Sequence, residues 1–253
     1  MNARLGWRLA SILVGVLLIA AWQLVVNAHL VSPVYLPGPD RTWNALVRGF
    51  TTGTLLAQLL QTVQRMLLGW LLASLAGIII GAAIGLSRPA RTYLGPTLEF
   101  LRPLPASAVI PLGIAFFGLS DGMVLGVIAF GALWPTLLAT VHGFAAVEPT
   151  LYEVSRVLGM SRPAVIWKIA LPSSLPDILG GMRLSLTVSL ILAVVGEMLA
   201  SRTGLGSGIL VAARTFHAPD LYAGVVLLGV LGYVTAQGLF ALEARLLRWR
   251  AVR

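Results

Sequence analysis

Few residues of this sequence have the types and spacing that covalent or metal chemistry needs. The chain has no Cys, and its three His stand at positions 29, 142 and 217, without metal-ligand spacing. It contains no H-E-x-x-H, the pattern of common metalloprotease sites, and its G-x-S-x-G match, residues 118–122, lies in a turn after an apolar run and not at the strand-to-helix elbow of a serine hydrolase. Its only lysine, Lys168, follows Trp167, so the G-K-S/T of a phosphate-binding P-loop is missing. We therefore expect that this chain is no enzyme, hydrolyses no ATP and binds no metal or cofactor.

Charged and turn-forming residues concentrate instead in the segment 143–176. Pro149 suits the first turn of a helix, and Gly159 stands where a left-handed C-terminal cap is favourable. Glu153 and Arg156 lie about one turn apart on that helix. A solvated pair of this kind contributes only about 0.3–0.5 kcal/mol, so the pair and the glycine could equally belong to an ordinary surface helix.

A second short helix is predicted after this turn. Ser161 can cap residues 162–171, and Pro163 fits the first turn of that helix. Pro172 is expected to end it, because proline lacks the N–H group that a helix interior needs. The segment therefore predicts a helix, a glycine turn and a second helix at a membrane surface.

The amino-acid composition indicates the environment of the helices on either side of the segment 143–176. Of the 253 residues, 58% are apolar and 11% are charged, whereas a soluble domain has about 45–50% and about 25%. The apolar content suffices for about six or seven spans of about 20 residues, so we predict an all-α polytopic membrane protein. The net charge of +9 fits the arginines that membrane proteins keep on their cytoplasmic side. Nucleic-acid binding is not expected, because no basic cluster alternates with exposed aromatic residues.

The apolar runs predict about six spans in a single domain that covers residues 1–253. The runs comprise residues 9–26, 66–86, 103–119, 123–141, 177–196 and 222–242. A cleaved signal peptide is the alternative for the first run, but that run exceeds the usual signal core of about 7–15 residues. Pro111 and Pro135 interrupt the third and fourth runs, which we interpret as two spans rather than one re-entrant loop.

The basic residues favour an orientation with both termini in the cytoplasm. With the N-terminus inside, twelve basic residues fall in inner segments and four in outer ones. The inner residues are Arg4, Arg8, Arg88, Arg91, Arg102, Arg156, Arg162, Lys168, Arg245, Arg248, Arg250 and Arg253. The outer residues are Arg41, Arg48, Arg202 and Arg214. This orientation places the segment 143–176 on the cytoplasmic face of a bacterial inner membrane.

Two spans carry small residues at every fourth position. In the second span these are Gly69, Ala73, Gly77, Gly81 and Gly85, and in the fifth they are Gly181, Ser185, Ser189 and Ala193. Such spacing forms a groove that another helix can approach closely, and we expect the second span to be a packing helix. For the fifth span, lining of a translocation path and plain packing are equally open. Glu197, near the outer end of that span, is expected to face a vestibule where ligand enters, or to cap the span.

The segment from Glu153 to Pro172 resembles the EAA signature of ABC importer permeases. That signature reads Glu-Ala-Ala, three residues, Gly, nine residues, Ile, one residue and Leu-Pro. The matching residues here are Glu153, Val154, Ser155, Gly159, Ile169, Leu171 and Pro172. Val154 and Ser155 replace the two alanines, and both are small enough to leave a close docking surface.

Further motifs resemble the nitrate/sulfonate/taurine branch of this family from about residue 34 onward. They are Leu36-Pro37-Gly38-Pro39, Arg65, Arg102-Pro103-Leu104-Pro105, Ile110-Pro111-Leu112, Phe117-Gly118, Gly196-Glu197-Met198-Leu199 and Gly204-Leu205-Gly206. The resemblance implies the type I importer permease fold, with a cytoplasmic coupling helix in the segment 143–176.

The resemblance also implies partners. Two permease chains, expected to be a homodimer, would dock on separate ATPase subunits that bind ATP and Mg. Glu153 would be the polar docking residue and Gly159 the turn that sets the angle of the docking helix. Arg156, Arg162 and Lys168 would contact the ATPase or anionic lipid headgroups. An external binding protein would deliver the solute.

The solute that the resemblance implies is an oxyanion such as a sulfonate, taurine or nitrate. A permease of the same branch for a vitamin precursor is one alternative. A secondary carrier or channel that works alone is another, but such proteins often place ionisable residues within their spans, and the spans predicted here have almost none.

Overall fold

The computed structural model describes residues 2–51 and 53–249, with side chains from residue 10 onward except residue 12. All regular structure within these residues is helical, which confirms the all-α prediction. The α-helices are α1 (Asn2–Asn27), α2 (Pro39–Thr51), α3 (Leu55–Gly85), α4 (Arg88–Leu101), α5 (Ile110–Phe117), α6 (Asp121–Ala145), α7 (Pro149–Val157), α8 (Arg162–Val165), α9 (Leu171–Ala200), α10 (Leu205–Arg214) and α11 (Ala218–Leu246). Four arginines used in the orientation count lie outside the described side chains: Arg4, Arg8, Arg250 and Arg253.

Among the residues that the structure describes, four helices are long and apolar enough to cross a membrane. They are Leu55–Gly85, Asp121–Ala145, Arg162–Ala200 and Ala218–Leu246. The pair Arg88–Leu101 and Ala106–Phe117 passes the same test together across an 83° bend, which gives a total of five where the pair is counted as one span. In α1, the apolar stretch Leu13–Asn27 is shorter than a full span. The predicted total of six spans therefore requires that α1 is counted as the first span.

The third predicted span, residues 103–119, differs from the structure. The helix bends before the 3-10 turn Ala106–Val109 and not at Pro111. Pro103 and Pro105 lie in the break, where they supply no N–H group to a helix. Pro111 instead occupies the first turn of α5, where a missing N–H group leaves no helical hydrogen bond unmade.

Helix α6 lies between α3 and α9 and forms the centre of the fold. A methyl group at Gly81 of α3 would lie 2.7 Å from the carbonyl oxygen of Leu137 on α6. One at Gly69 would lie 2.4 Å from a methyl carbon of Ile128. The prediction that the second span packs through its small residues is therefore confirmed, and α6 is its partner.

The predicted end of a helix at Pro172 is wrong. Helix α8, the π turn Ile166–Ala170 and α9 form one continuous helix, Arg162–Ala200. Within the π turn, the N–H group of Leu171 donates to the carbonyl oxygen of Ile166, five residues earlier. This wider turn relieves the clash between a proline ring and the preceding turn, so Pro172 continues the helix instead of ending it. The fifth span is therefore directly joined to the EAA-like segment.

Helix α11 packs against α9 through a charged contact as well as through apolar side chains. Arg183 of α9 forms an ion pair with Glu243 of α11, and its guanidinium lies 5.4 Å from the centre of the Phe240 ring. A charge near the membrane is stabilised when it has such a partner.

Candidate functional site

The EAA-like segment contains the predicted helix and glycine turn. Helix α7 ends at Val157, and Gly159 has a φ of +63°. The N–H group of Met160 donates to the carbonyl oxygen of Ser155 at 3.0 Å, and that of Gly159 donates to the carbonyl oxygen of Arg156 at 3.1 Å. These two bonds form a Schellman motif, which confirms the predicted left-handed cap. Ser161 begins the next helix as predicted, but its side chain makes no capping hydrogen bond.

One face of α7 is fixed to the ends of the membrane helices. Ser155 is buried, and its hydroxyl donates to the carbonyl oxygen of Tyr152 at 2.8 Å. Tyr152, Ile169 and Leu171 pack against one buried cluster. That cluster consists of Phe144, Val147, Ala170 and Ile178. Burial raises the pKa of the Tyr152 phenol while the charge of Arg91 opposes this shift, so the phenol is neutral near pH 7.

The other face of α7 is open and apolar. Val157 is 87% exposed, Leu158 70% and Val154 48%. Exposed charged side chains flank them: Glu153, Arg156 and Arg162. Val154 was expected to take part in docking, whereas Val157 and Leu158 were not identified from the sequence, although their spacing of three and four residues from Val154 places them on the same helix face. We call Val154, Val157 and Leu158 the α7 apolar patch.

A small hollow of about 350 Å³ lies beside this segment. Lys168 and Pro172, both expected to take part in docking, line it together with Leu151 and Trp249. Ile169 lines it too, in addition to its place against the buried cluster. The signature residues therefore form two groups. Glu153 and Val154 are exposed on α7, whereas Ile169, Leu171 and Pro172 lie in the continuous helix Arg162–Ala200.

Charged side chains from three helices meet at the other end of the membrane helices. We call this group the outer polar cluster: Thr62, Arg65, Asp121, Glu197 and Arg202. The Arg65 guanidinium lies 3.0 Å from the Glu197 carboxylate and 2.9 Å from that of Asp121, and it donates to the carbonyl oxygen of Thr203 at 2.6 Å. Arg202 also binds Asp121, at 2.8 Å, and this hydrogen bond raises the pKa of Arg202. The cluster joins α3, α6 and the end of α9.

Two roles were expected for Glu197, a place at an open vestibule or a cap of the span. The vestibule is wrong, because the Glu197 carboxylate is enclosed. It is 0% exposed, and it accepts hydrogen bonds from the hydroxyl of Thr62 at 2.9 Å and the N–H group of Gly206 at 3.0 Å. A methyl group at Gly204 would lie 2.1 Å from its carboxyl carbon. Thr62 was not identified from the sequence as a partner of Glu197, because 135 residues separate the two along the chain.

The small residues of the fifth span lie in a helix contact. Gly181, Ser185 and Ser189 are buried, and the Ser185 hydroxyl donates to the carbonyl oxygen of Ala132 at 2.6 Å. A methyl group at Gly181 would lie 2.5 Å from Cβ of Ala139. Of the two uses left open, this geometry favours packing for Ser185 and Ser189, since the contact with α6 leaves no room for a solute there, whereas Gly181 also lines a cavity.

The space that could admit a solute lies beside this contact between α6 and α9. A cavity of about 980 Å³ is bounded by the bend after α4, by α6 and by α9. Charged and aromatic side chains line it, with Glu99, Arg102, Trp134, His142 and Asp177 among them. We call it the inner cavity, because it reaches the end of α6 that carries His142.

Comparison with known proteins assigns this arrangement to a family. Residues 73–248 match the family described as binding-protein-dependent transport system inner membrane component. The chain belongs to this family. An aliphatic sulfonates transport permease of Bacillus subtilis is 35% identical, over 98% of this chain and 89% of that protein. A taurine transport permease of Escherichia coli is 31% identical, over 98% and 94%. A nitrate import permease of Leptolyngbya laminosa is 28% identical, over 85% and 79%.

Solved structures of two ABC transporters share the fold. A methionine ABC transporter in an inward-facing conformation aligns with a TM-score of 0.67 and 17% identity, over 77% of this chain and 97% of the other. An amino acid ABC transporter aligns with a TM-score of 0.62 and 18% identity, over 80% and 97%. The type I importer permease fold is therefore confirmed.

As a member of this family, the chain is a multi-pass subunit of an ATP-binding-cassette importer in the inner membrane. It is a permease and not an enzyme, since in such importers a partner subunit hydrolyses ATP. A binding protein serves the same system. Membership in the nitrate, sulfonate and taurine branch is confirmed by the three named relatives.

Proposed function

We propose that this permease couples to its ATPase through α7. The α7 apolar patch carries this proposal, because exposed apolar side chains on a short helix favour contact with a protein. Glu153 and Arg156 beside the patch provide polar contacts at its edge. Ser155 and the Schellman turn at Gly159 hold the helix in position, and the continuous helix Arg162–Ala200 links its far side to the membrane. Movement of a docked ATPase would therefore reach α9 through a rigid connection.

The working unit that we propose is a homodimer with both termini in the cytoplasm. The bias of arginines toward inner segments supports the orientation. The open side of the inner cavity, with Glu99, Arg102 and Asp177 at its wall, is too polar to face lipid. A second copy of the chain would cover it and complete a path between the two protomers. The α7 segments would then form a pair on the cytoplasmic side, where two ATPase subunits bind ATP and Mg.

The solute that we propose is a small oxyanion, delivered from outside by the binding protein. The support is the similarity to permeases whose names specify aliphatic sulfonates, taurine and nitrate. An alkanesulfonate is the first choice, because two of the relatives, at 35% and 31% identity, carry organosulfonate names.

Co-purification tests the coupling role of α7. Val157→Asp places a charge on the centre of the α7 apolar patch, and we expect it to lower recovery of the ATPase subunit at least tenfold. The matched control is Leu30→Asp, since Leu30 is 73% exposed on the segment between α1 and α2, away from α7. The control should retain the ATPase fully. Equal recovery with both variants would contradict the proposal.

A further inference from the structure

The bend in the third span places an arginine at the inner cavity. Arg102 follows α4, and Pro103 and Pro105 keep the chain out of helix until Ala106. Irregular backbone at membrane depth is stable only where protein covers it or where it lines a water-filled cavity. Arg102 lines the inner cavity, so the bend meets the second of these conditions.

The depth of the bend follows from its contacts with α6. A methyl group at Gly131 would lie 2.5 Å from Cβ of Ala106 and 2.3 Å from a methyl carbon of Leu192. Gly131 is ten residues from the start of α6, about 15 Å along the helix and close to its middle. Arg102 is four residues before Ala106 and therefore at most about 14 Å from it. A solute in the inner cavity would pass within reach of this side chain.

The donors of Arg102 are uncommitted. Its side chain is 64% exposed, and its ion pair with Glu99 has an N–O distance of 3.7 Å, too long for a hydrogen bond. A guanidinium has five N–H donors in a planar fork that matches the oxygens of a carboxylate, sulfonate or phosphate. By contrast, Arg65 and Arg183 are bound to buried or partly buried carboxylates. Arg102 is thus an arginine of the inner cavity whose fork is open to a solute.

The remaining charges of the cavity restrict the ligand. Glu99 and Asp177 line the same space, together with His142, which stands near the end of α6. The two carboxylates repel a ligand with two negative charges more strongly than a ligand with one, so a monoanion binds Arg102 with less repulsion. Trp134 and Leu184 add an apolar wall, which suits a short carbon chain. The ligand class is therefore a monovalent oxyanion with a small organic or zwitterionic remainder.

We infer that Arg102 is the residue of the inner cavity that contacts the oxyanion head of the transported solute. This inference rests on the proposed function, because it deepens the substrate class of the same permease. Nothing else in the cavity offers a permanent positive charge among the described residues.

The absence of Cys allows a test without background labelling. Leu184, which lines the cavity and is 58% exposed, is changed to Cys. The full chain, in complex with its ATPase where that complex forms, is placed in lipid nanodiscs. Two reagents are compared: the anionic sulfonatoethyl methanethiosulfonate and its cationic trimethylammonioethyl analogue. The measured quantity is the ratio of their reaction rates with the thiol.

We expect Arg102→Gln to lower the anion-to-cation rate ratio about tenfold, because it removes one unit charge from the cavity. Arg102→Lys should keep most of the ratio, and Glu99→Gln should leave it equal or raise it. A reporter Cys at Leu30, which is exposed and outside the cavity, should show no change with Arg102→Gln. An unchanged ratio at Leu184→Cys, or a thiol there that neither reagent reaches, would overturn the inference.

Uptake separates this inference from the proposed function. In proteoliposomes with the ATPase and the binding protein, Arg102→Gln should lower uptake of a labelled alkanesulfonate at least tenfold while ATPase recovery stays normal. Normal uptake by Arg102→Gln would overturn the inference alone. Failure of the unsubstituted permease to bind any ATPase would overturn the proposed function, and the thiol rates would still decide the role of Arg102.

Discussion

The guanidinium of Arg65 lies 3.0 Å from the carboxylate of Glu197, which is 132 residues away in the sequence and fully buried. Arg65 also binds Asp121, at the start of α6, and the carbonyl oxygen of Thr203. One side chain of α3 thereby fixes the ends of two other helices, away from α7. The pair of Arg65 and Glu197 stabilises this junction only while both are present, because removal of Arg65 leaves the Glu197 carboxylate buried without its cation.

Loss of Arg65 alone should be strongly destabilising. Arg65→Met leaves the Glu197 carboxylate buried without its cation, and we expect the free energy of unfolding to fall by about 3–5 kcal/mol. Adding Glu197→Gln removes that charge and should restore at least half of the loss. Denaturant titration in mixed micelles measures both variants. Arg102→Met is the control: its pair with Glu99 is exposed and should contribute about 0–1 kcal/mol. Equal losses in the single and double variants would argue against this account of the cluster.

Features that depend on residues close together in the chain, such as helix ends and helix faces, can be predicted from the sequence. Pro149 at a helix start and Gly159 at its end follow from cap chemistry, and the glycines of α3 follow from spacing. The continuation of the helix through Pro172 depends on the π turn before it, for which the residue pattern gives no signal. The surroundings of Glu197 and the inner cavity depend on contacts between helices that are far apart in the sequence, so spacing along one helix cannot predict them. The spacing of Ser185 and Ser189 fits both the lining of a translocation path and helix packing, and the contact with α6 favours packing.

Close packing of α3 on α6 should make Gly81 intolerant of any side chain. The Cβ of Gly81→Ala would lie 2.7 Å from a backbone carbonyl oxygen, which cannot move without shifting α6, so we expect a loss of about 1–3 kcal/mol. Gly126→Ala is the matched control, since a Cβ there has nothing within 4 Å. It should be neutral or stabilising, because alanine favours a helix over glycine. Thermal unfolding in detergent compares the two, and a similar decrease in both melting temperatures would disagree with tight packing at Gly81.

The left-handed turn after α7 should need a residue that accepts positive φ. Gly159→Val strains the turn, at a cost of about 1–2 kcal/mol or more, and should lower ATPase recovery and uptake while membrane insertion stays normal. Gly159→Asn is the control, because asparagine tolerates this conformation; it should retain most of the coupling. Normal assembly and uptake with Gly159→Val would show that the turn does not position the docking helix.

Charge reversal at Glu153 should separate the two partners of the permease. Glu153→Arg changes the edge of the α7 apolar patch and should weaken association with the ATPase more than with the binding protein. A pull-down with both partners measures the two effects in one preparation. A larger loss of the binding protein than of the ATPase would place Glu153 on the wrong side of the membrane for coupling.

The position of α7 at the ATPase is the central claim, and a single Cys at Val157 tests it most directly. Because the chain has no native Cys, a membrane-impermeant thiol reagent reports on this residue alone. The account predicts labelling in inside-out vesicles, no labelling in right-side-out vesicles, and at least tenfold protection when the ATPase subunit is present. Labelling from the outside, or labelling from the inside that the ATPase leaves unchanged, would contradict it.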